Sequence, residues 1–208
     1  MYLDKVLIFD NFLPKNYFKE IKKHGHSIHY IFSQNYDNDV DSPMITSSIH
    51  IDHPNISKKI KKSTEISKIR HFIRPITYIL EEKLGCELLW TRSRFNILFE
   101  RDCKGVPHTD NEALAPGSNL VHPVGVAAIL YLTNSDGNTT VYKEKLKVNN
   151  TTNINLQNLT VDRHIAPKEN RLVVFSGDRY HSVANPITST YRMVLNSNFL
   201  IKKEDEDA

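Results

Sequence analysis

The sequence predicts an α+β fold, with helices packed on one outer face of an antiparallel sandwich or open barrel. Two observations predict it. Helical periodicity is concentrated before Gly85, whereas from Cys86 onward the pattern changes to short β-favouring runs separated by turns. The last of these runs alternates Arg192, Val194, Asn196 and Asn198 with Tyr191, Met193, Leu195, Ser197 and Phe199. A pleated strand sends the two sets to opposite faces. The largely apolar set is expected to pack on the helices. The other set, with Arg and Asn where a closed core would want Val, is expected to face a wet cavity.

In chain order, Lys5 to Phe9 reads as an opening strand. Pro14 then starts a helix to about His24, with Gly25 as its stop. Residues 26–57 carry no assignable pattern; the histidines there and nearby, His24, His26, His29, His50 and His53, lack accompanying carboxylates or cysteines at ligand spacing. Thr64 to Leu84 is the clearest helix. Ile66, Ile69, Phe72, Ile73, Ile76, Ile79 and Leu80 form one apolar stripe, Pro75 should kink or divide it, and Gly85 should end it. Glu87 to Phe99 suggests two strands or one long bent one. Val124 to Thr133 is a strand, Asn134-Ser-Asp-Gly137 a turn, and Thr139 to Tyr142 the strand's expected partner. Residues 143–168 are polar and read mainly as loop. Asn170-Arg171 turns into the strand Leu172 to Phe175, and Thr190 to Leu200 is the last strand.

The 208 residues suit one domain. It is expected to span residues 1–203, mainly helical over 1–84 and sheet-forming over 85–203, with an acidic tail at 204–208. A formal charge of +3 is too small to argue for nucleic acid from electrostatics alone. Two cysteines are too few for a disulfide framework, so a reduced, cytoplasmic setting is expected. Neither a secretory signal nor a membrane-span-length apolar run is visible. Oligomeric state is left open.

The chemistry-bearing residues are few. His108 and Asp110 are two apart, so on an extended strand both side chains leave one face. His181 follows the Leu172–Phe175 run. Two imidazoles and one carboxylate form the facial triad that suits non-haem iron(II) and leaves coordination positions open. Taken singly, each has a plainer reading: a turn histidine, an aspartate in an Asx turn, a strand-end histidine. His122, in the loop after Asp110, is a competing candidate ligand.

In order, the chain shows His108-x-Asp110, Tyr131-Leu-Thr after an apolar run, a turn at Gly137, Asn170-Arg-Leu-Val-Val-Phe175, His181, and Arg192 eleven residues beyond it. This series resembles the iron(II)- and 2-oxoglutarate-dependent oxygenases, on the prolyl-4-hydroxylase-like branch and particularly its small phage and bacterial forms. The resemblance covers residues 85–200, and the opening strand and helix loosely. It implies a double-stranded β-helix, the jelly-roll or cupin-like barrel, as the sheet-forming part. It implies Fe(II) on His108, Asp110 and His181, with 2-oxoglutarate and O2 as co-substrates and succinate and carbon dioxide as co-products.

The resemblance also assigns Arg192 to the far carboxylate of 2-oxoglutarate, a bidentate partner that keeps its charge. Tyr131 stands either as a second donor to that carboxylate or as a core tyrosine. Asn196 and Asn198 are expected to line the cavity, with Asn196 a co-substrate contact. One position departs from the pattern: Leu98 stands where relatives carry a polar group. Asn96, or Arg94 on the same strand face, is expected to replace it.

The implied substrate is a protein side chain, an amino acid or another small molecule. Two other readings remain at this stage. One is a metal-binding jelly-roll sensor or structural module without oxygenase activity, which would need neither Arg192 nor Tyr131. The other is an oxygenase acting on a nucleic-acid base, which would call for aromatic platforms and a basic groove; the basic stretch 58–74 is the only hint, and Trp90 is the lone tryptophan. Substrate selection is expected in residues 26–57 and the loops 111–123 and 143–168.

Overall fold

A computed structural model describes residues 3–33, 44–51, 64–110, 125–146 and 155–202. The expectations that fall on Lys58 to Lys62, His53, His122, the loop 111–123 and the acidic tail lie outside these residues. The chain runs β1 (Leu7–Phe9), α1 (Lys15–Ser27), β2 (Ile31–Ser33), β3 (Met44–Ile51), α2 (Thr64–Ile73), α3 (Pro75–Leu84) and β4 (Leu88–Phe99). Then come β5 (Gly125–Tyr131), β6 (Thr139–Lys145), β7 (Val161–Ile165), β8 (Arg171–Ser176), β9 (Arg179–Val183) and β10 (Tyr191–Ile201). Among the described residues the strands form a seven-stranded sheet, ordered β1-β8-β5-β10-β4-β3-β2, and a three-stranded sheet, β7-β6-β9. Every pairing is antiparallel, and neither sheet closes on itself.

The alternation read along β10 positions the site. Met193, Leu195 and Phe199 join Phe95 and Ile97 of β4 and Val126, Ala128 and Leu130 of β5 in one apolar layer. The helices cover it, through Phe18 and Ile21 of α1 and Ile76, Leu80 and Leu84 of α3. On the opposite face of the large sheet, Ala127, Ile129, Tyr131, Val173, Phe175 and Val194 meet Val141 and Ile165 of the small sheet. β5 lies between β8 and β10 and is buried on both faces, which explains its unbroken apolar sequence.

Pro75 divides the long helical stretch, standing at the first turn of α3 where its missing N–H costs nothing. Gly85 ends α3 with a left-handed φ of 66° and donates its N–H to the Glu81 carbonyl. The stretch expected as two strands or one long bent one is a single strand, β4, over Leu88–Phe99, with a bulge in its pairing to β10.

Three expectations are corrected. Gly25 does not stop α1, which continues to Ser27. A Cβ there would overlap Met193 Cε and stand 3.1 Å from Phe95 Cε1, so this glycine lets the helix lie close against the sheet. β6 is not the partner of β5: it pairs with β7 and β9 in the second sheet. The intervening turn is tied to residues 184–189 instead of closing a hairpin. At Gly137 a Cβ would sit 2.5 Å from the Ala184 carbonyl oxygen, and the Asp136 carboxylate accepts the N–H groups of Ile187, Thr188 and Ser189 at 2.9–3.0 Å. Finally, residues 143–168 contain a strand, β7, and residues 26–57 contain β2 and β3, which extend the large sheet beyond β4.

Candidate metal centre

The segment before His108 lies along the free edge of β9. Lys104 bridges Ala184, the Gly105 N–H donates to the Val183 carbonyl at 2.7 Å, and His108 pairs with His181. That last pair exchanges both backbone bonds, His108 N–H to His181 O at 2.9 Å and the reverse at 2.8 Å. Directly paired strand residues project to the same side, and the two imidazole centroids are 4.4 Å apart. Asp110 follows two residues on, and its side chain is 2 % exposed. One ligand atom from each of His108, Asp110 and His181 lies within 4.8 Å of the others, a grouping that could hold a metal ion.

Each ring nitrogen has a definite task. His108 Nδ1 donates to the Val106 carbonyl at 3.0 Å, and His181 Nδ1 to the Arg179 carbonyl at 3.3 Å. A carbonyl can only accept, so each Nδ1 carries a proton and Nε2 is the atom of each ring placed to ligate. The Asp110 carboxylate is divided in the same way. Oδ1 accepts from Arg92 Nη2 at 3.1 Å. Oδ2 is buried without a hydrogen-bond partner and stands 3.8 Å from His181 Nε2. A buried carboxylate oxygen with no donor is costly unless a cation takes it up, so the donor set fits a divalent ion.

The electrostatics agree. Burial alone would raise the Asp110 carboxyl, but the neighbouring His181, Arg92 and His108 hold it well below the usual carboxylate range. Burial, reinforced by the neighbouring His108, pushes His181 down to about 4 against the pull of Asp110. At neutral pH the centre therefore keeps an ionised carboxylate and an uncharged His181 ring, the forms that ligate.

A cavity of about 370 Å³, counting its open mouth, runs from this centre across the inner face of the large sheet. Asn96, Leu98, His108, His181, Arg192 and Asn196 all line it. Arg192 is 2 % exposed, and its Nη2 donates to Thr139 Oγ1 at 2.8 Å. The Tyr131 hydroxyl donates to the same Thr139 oxygen at 2.6 Å, and the guanidinium lies 5.3 Å from the Tyr131 ring centroid. Tyr131 is wholly buried between the sheets, behind Arg192 and outside the residues that line the cavity. Asn96 Oδ1 accepts from Thr46 at 2.9 Å, while Asn196 Oδ1 is buried without a partner. Leu98 is buried opposite Arg192 in register.

Sequence reasoning missed Arg92 and Thr139. Arg92 is the next member of the Arg94, Asn96, Leu98 face, and it also donates through Nε to Asn198 Oδ1 at 2.9 Å. The period-two pattern already contained it. Thr139 carries no sequence signal of its own, because its partners come from β5 and β10.

No family model matches the sequence, and no curated protein matches it. Solved structures do. A 2OG-Fe(II) oxygenase family oxidoreductase from Burkholderia pseudomallei superimposes with a TM-score of 0.64 at 13% identity, over 94% of this chain and 84% of that one. The non-haem alpha-ketoglutarate-dependent epimerase SnoN of nogalamycin biosynthesis gives 0.65 at 10% identity, over 95% and 79%. A prolyl-4-hydroxylase from Pseudomonas putida gives 0.55 at 13% identity, over 95% and 92%. The fold is therefore that of the 2-oxoglutarate- and iron(II)-dependent oxygenases.

Proposed function

We propose that the protein is an iron(II)- and 2-oxoglutarate-dependent dioxygenase, and that its two sheets are the halves of a double-stranded β-helix. The observation that carries this is the division of labour at the centre. Both Nδ1 atoms are committed to carbonyls, one Asp110 oxygen is committed to Arg92, and the remaining donor atoms converge beside a cavity whose lining includes a buried arginine. His108, Asp110 and His181 hold the iron. Iron bound there supplies dioxygen activation, one oxygen atom entering a substrate C–H bond and the other entering succinate as 2-oxoglutarate loses carbon dioxide.

The chain's own residues do the rest. Arg192 pairs with the far carboxylate of the co-substrate, held in place by Thr139 and by the Tyr131 ring beneath it. Tyr131 orients the arginine instead of touching the carboxylate. Asn96 and Asn196 line the walls between that anchor and the metal, and Leu98 keeps the wall opposite Arg192 apolar. The inter-sheet layer of Ile129, Val173, Phe175 and Val194 excludes water from below. The substrate is a small molecule, an amino acid or a protein side chain, and the chain works in the reducing cytoplasm, where Cys86 and Cys103 remain thiols. A metal-binding module without oxygenase chemistry would have no use for a buried arginine in the cavity lining.

Anaerobic addition of Fe(II) and 2-oxoglutarate is the test. A visible metal-to-ligand charge-transfer band should form in the wild type and be absent in His108→Ala. Arg192→Ala should bind iron but weaken 2-oxoglutarate by roughly tenfold or more, the loss of a charge-assisted pair. No band in the wild type would sink the reading.

A further inference from the structure

β4 presents Arg92, Arg94, Asn96 and Leu98 to the inner face of the large sheet. Three of the four have tasks: Leu98 and Asn96 wall the cavity, and Arg92 holds Asp110. Arg94 stands between them. It is half-buried, its Nε is fully buried without a hydrogen bond, and among the described residues it forms neither a hydrogen bond nor an ion pair. Its register partner on β10 is Asn196, 6 % exposed, whose Oδ1 is likewise buried and unpartnered. Thus a cation and a carbonyl acceptor, both unsatisfied, stand opposite each other on adjacent strands. A guanidinium whose Nε is buried without an acceptor while its outer nitrogens stay within reach of solvent is completed by a ligand that brings an acceptor.

Resting on the oxygenase reading, we propose that Arg94 and Asn196 form the recognition subsite for the primary substrate. That substrate is a small molecule carrying a carboxylate beside an N–H donor, the pattern of a free amino acid. Arg94 takes the carboxylate through its forked donors, and Asn196 Oδ1 accepts from the neighbouring N–H. The co-substrate does not account for the pair. Arg192 lies in register with Leu98, four residues from Arg94 along β4, a separation of about 13 Å. A five-carbon dicarboxylate anchored on Arg192 is shorter than that. Arg92 is no substitute, being engaged with Asp110 and Asn198.

The test compares wild type, R94L and R94K in two measurements. The first is the anaerobic titration of Fe(II) and 2-oxoglutarate, read by the charge-transfer band. The second is succinate release stimulated by each common free L-amino acid and by its C-terminal amide. The proposal expects at least one amino acid to stimulate turnover and its amide to be weaker by roughly tenfold or more, the loss of one charge-assisted contact. R94L should lose that stimulation by a similar factor while binding iron and 2-oxoglutarate as the wild type does, and R94K should recover part of it. The proposal is overturned if no amino acid acts, or if amides serve as well as acids. It is also overturned if R94L weakens 2-oxoglutarate instead, which would give Arg94 to the co-substrate, or if both variants lose the band, which would make the arginine structural. A band in the wild type with no preference for acids refutes this inference alone; no band at all refutes the oxygenase reading beneath it.

Discussion

Replacing Asn170 tests how the N-terminal segment is held to the large sheet. Asn170 has a φ of 58°, and its side chain grips the buried backbone of Leu13 at both ends. Oδ1 accepts the Leu13 N–H at 2.9 Å, and Nδ2 donates to the Leu13 carbonyl at 2.8 Å. Asn170→Gly removes both bonds but tolerates the left-handed backbone. Stranding two buried backbone groups should cost about 2–4 kcal/mol in all. Asn170→Ala removes the same bonds but keeps a Cβ, which in the left-handed conformation costs about 1 kcal/mol more than glycine does. At a slope of about 2 kcal/mol per molar urea, the Gly variant should unfold at a midpoint lower by about 1–2 M, and the Ala variant by about 0.5 M more. Equilibrium urea unfolding followed by far-ultraviolet circular dichroism measures both. A Gly variant as stable as the wild type would show that the paired bonds contribute nothing. Equal midpoints for Gly and Ala would show that the backbone at 170 relaxes without strain.

Two further outcomes follow from the geometry. Arg92→Leu should weaken metal binding by roughly tenfold or more, because Asp110 loses the partner that turns Oδ2 toward the histidines; cobalt(II) titration monitored by its visible bands measures this, and an unchanged affinity would rule Arg92 out as a positioning residue. Asp136 is held well below the usual carboxylate range, first by the backbone N–H of Thr188, then by the Ser189 side chain and the backbone N–H groups of Ile187 and Ser189. A depressed folded-state pKa contributes stability above the unfolded value, near 4, that is lost as pH falls toward the folded one. Asp136→Asn should therefore destabilise the protein at neutral pH and flatten the acid limb of its stability profile. Thermal melts between about pH 2 and pH 7 check it, and parallel profiles for the two proteins would contradict the assignment.

The centre was legible because its ligands obey short-range rules. His108-x-Asp110 is a same-face pair at strand spacing, and Arg192 heads a strand face that carries Asn196 and Asn198 where a closed core would carry apolar side chains. The division at Pro75 and the stop at Gly85 follow from local backbone chemistry in the same way. What stayed hidden depends on distant partners. Gly25 looks like a helix stop, yet its lack of a side chain serves Phe95 and Met193, remote in sequence. The placement of β6 in the second sheet is set by contacts of Asp136 and Gly137 with residues 184–189. β7 is exposed at all but its last residue, so it has no buried face to create an alternating pattern.

The backbone bridge between His108 and His181 makes the centre a product of chain pairing. Two ligands from remote segments are set side by side by amide bonds that need neither imidazole. Mutating a ligand therefore removes a donor atom without unfastening the strands that carried it. The variant should keep a hollow of ligand size, and free imidazole supplied from solution could occupy it. Amide exchange at these two positions should likewise be slow before any ion arrives, because the frame is assembled first and loaded second.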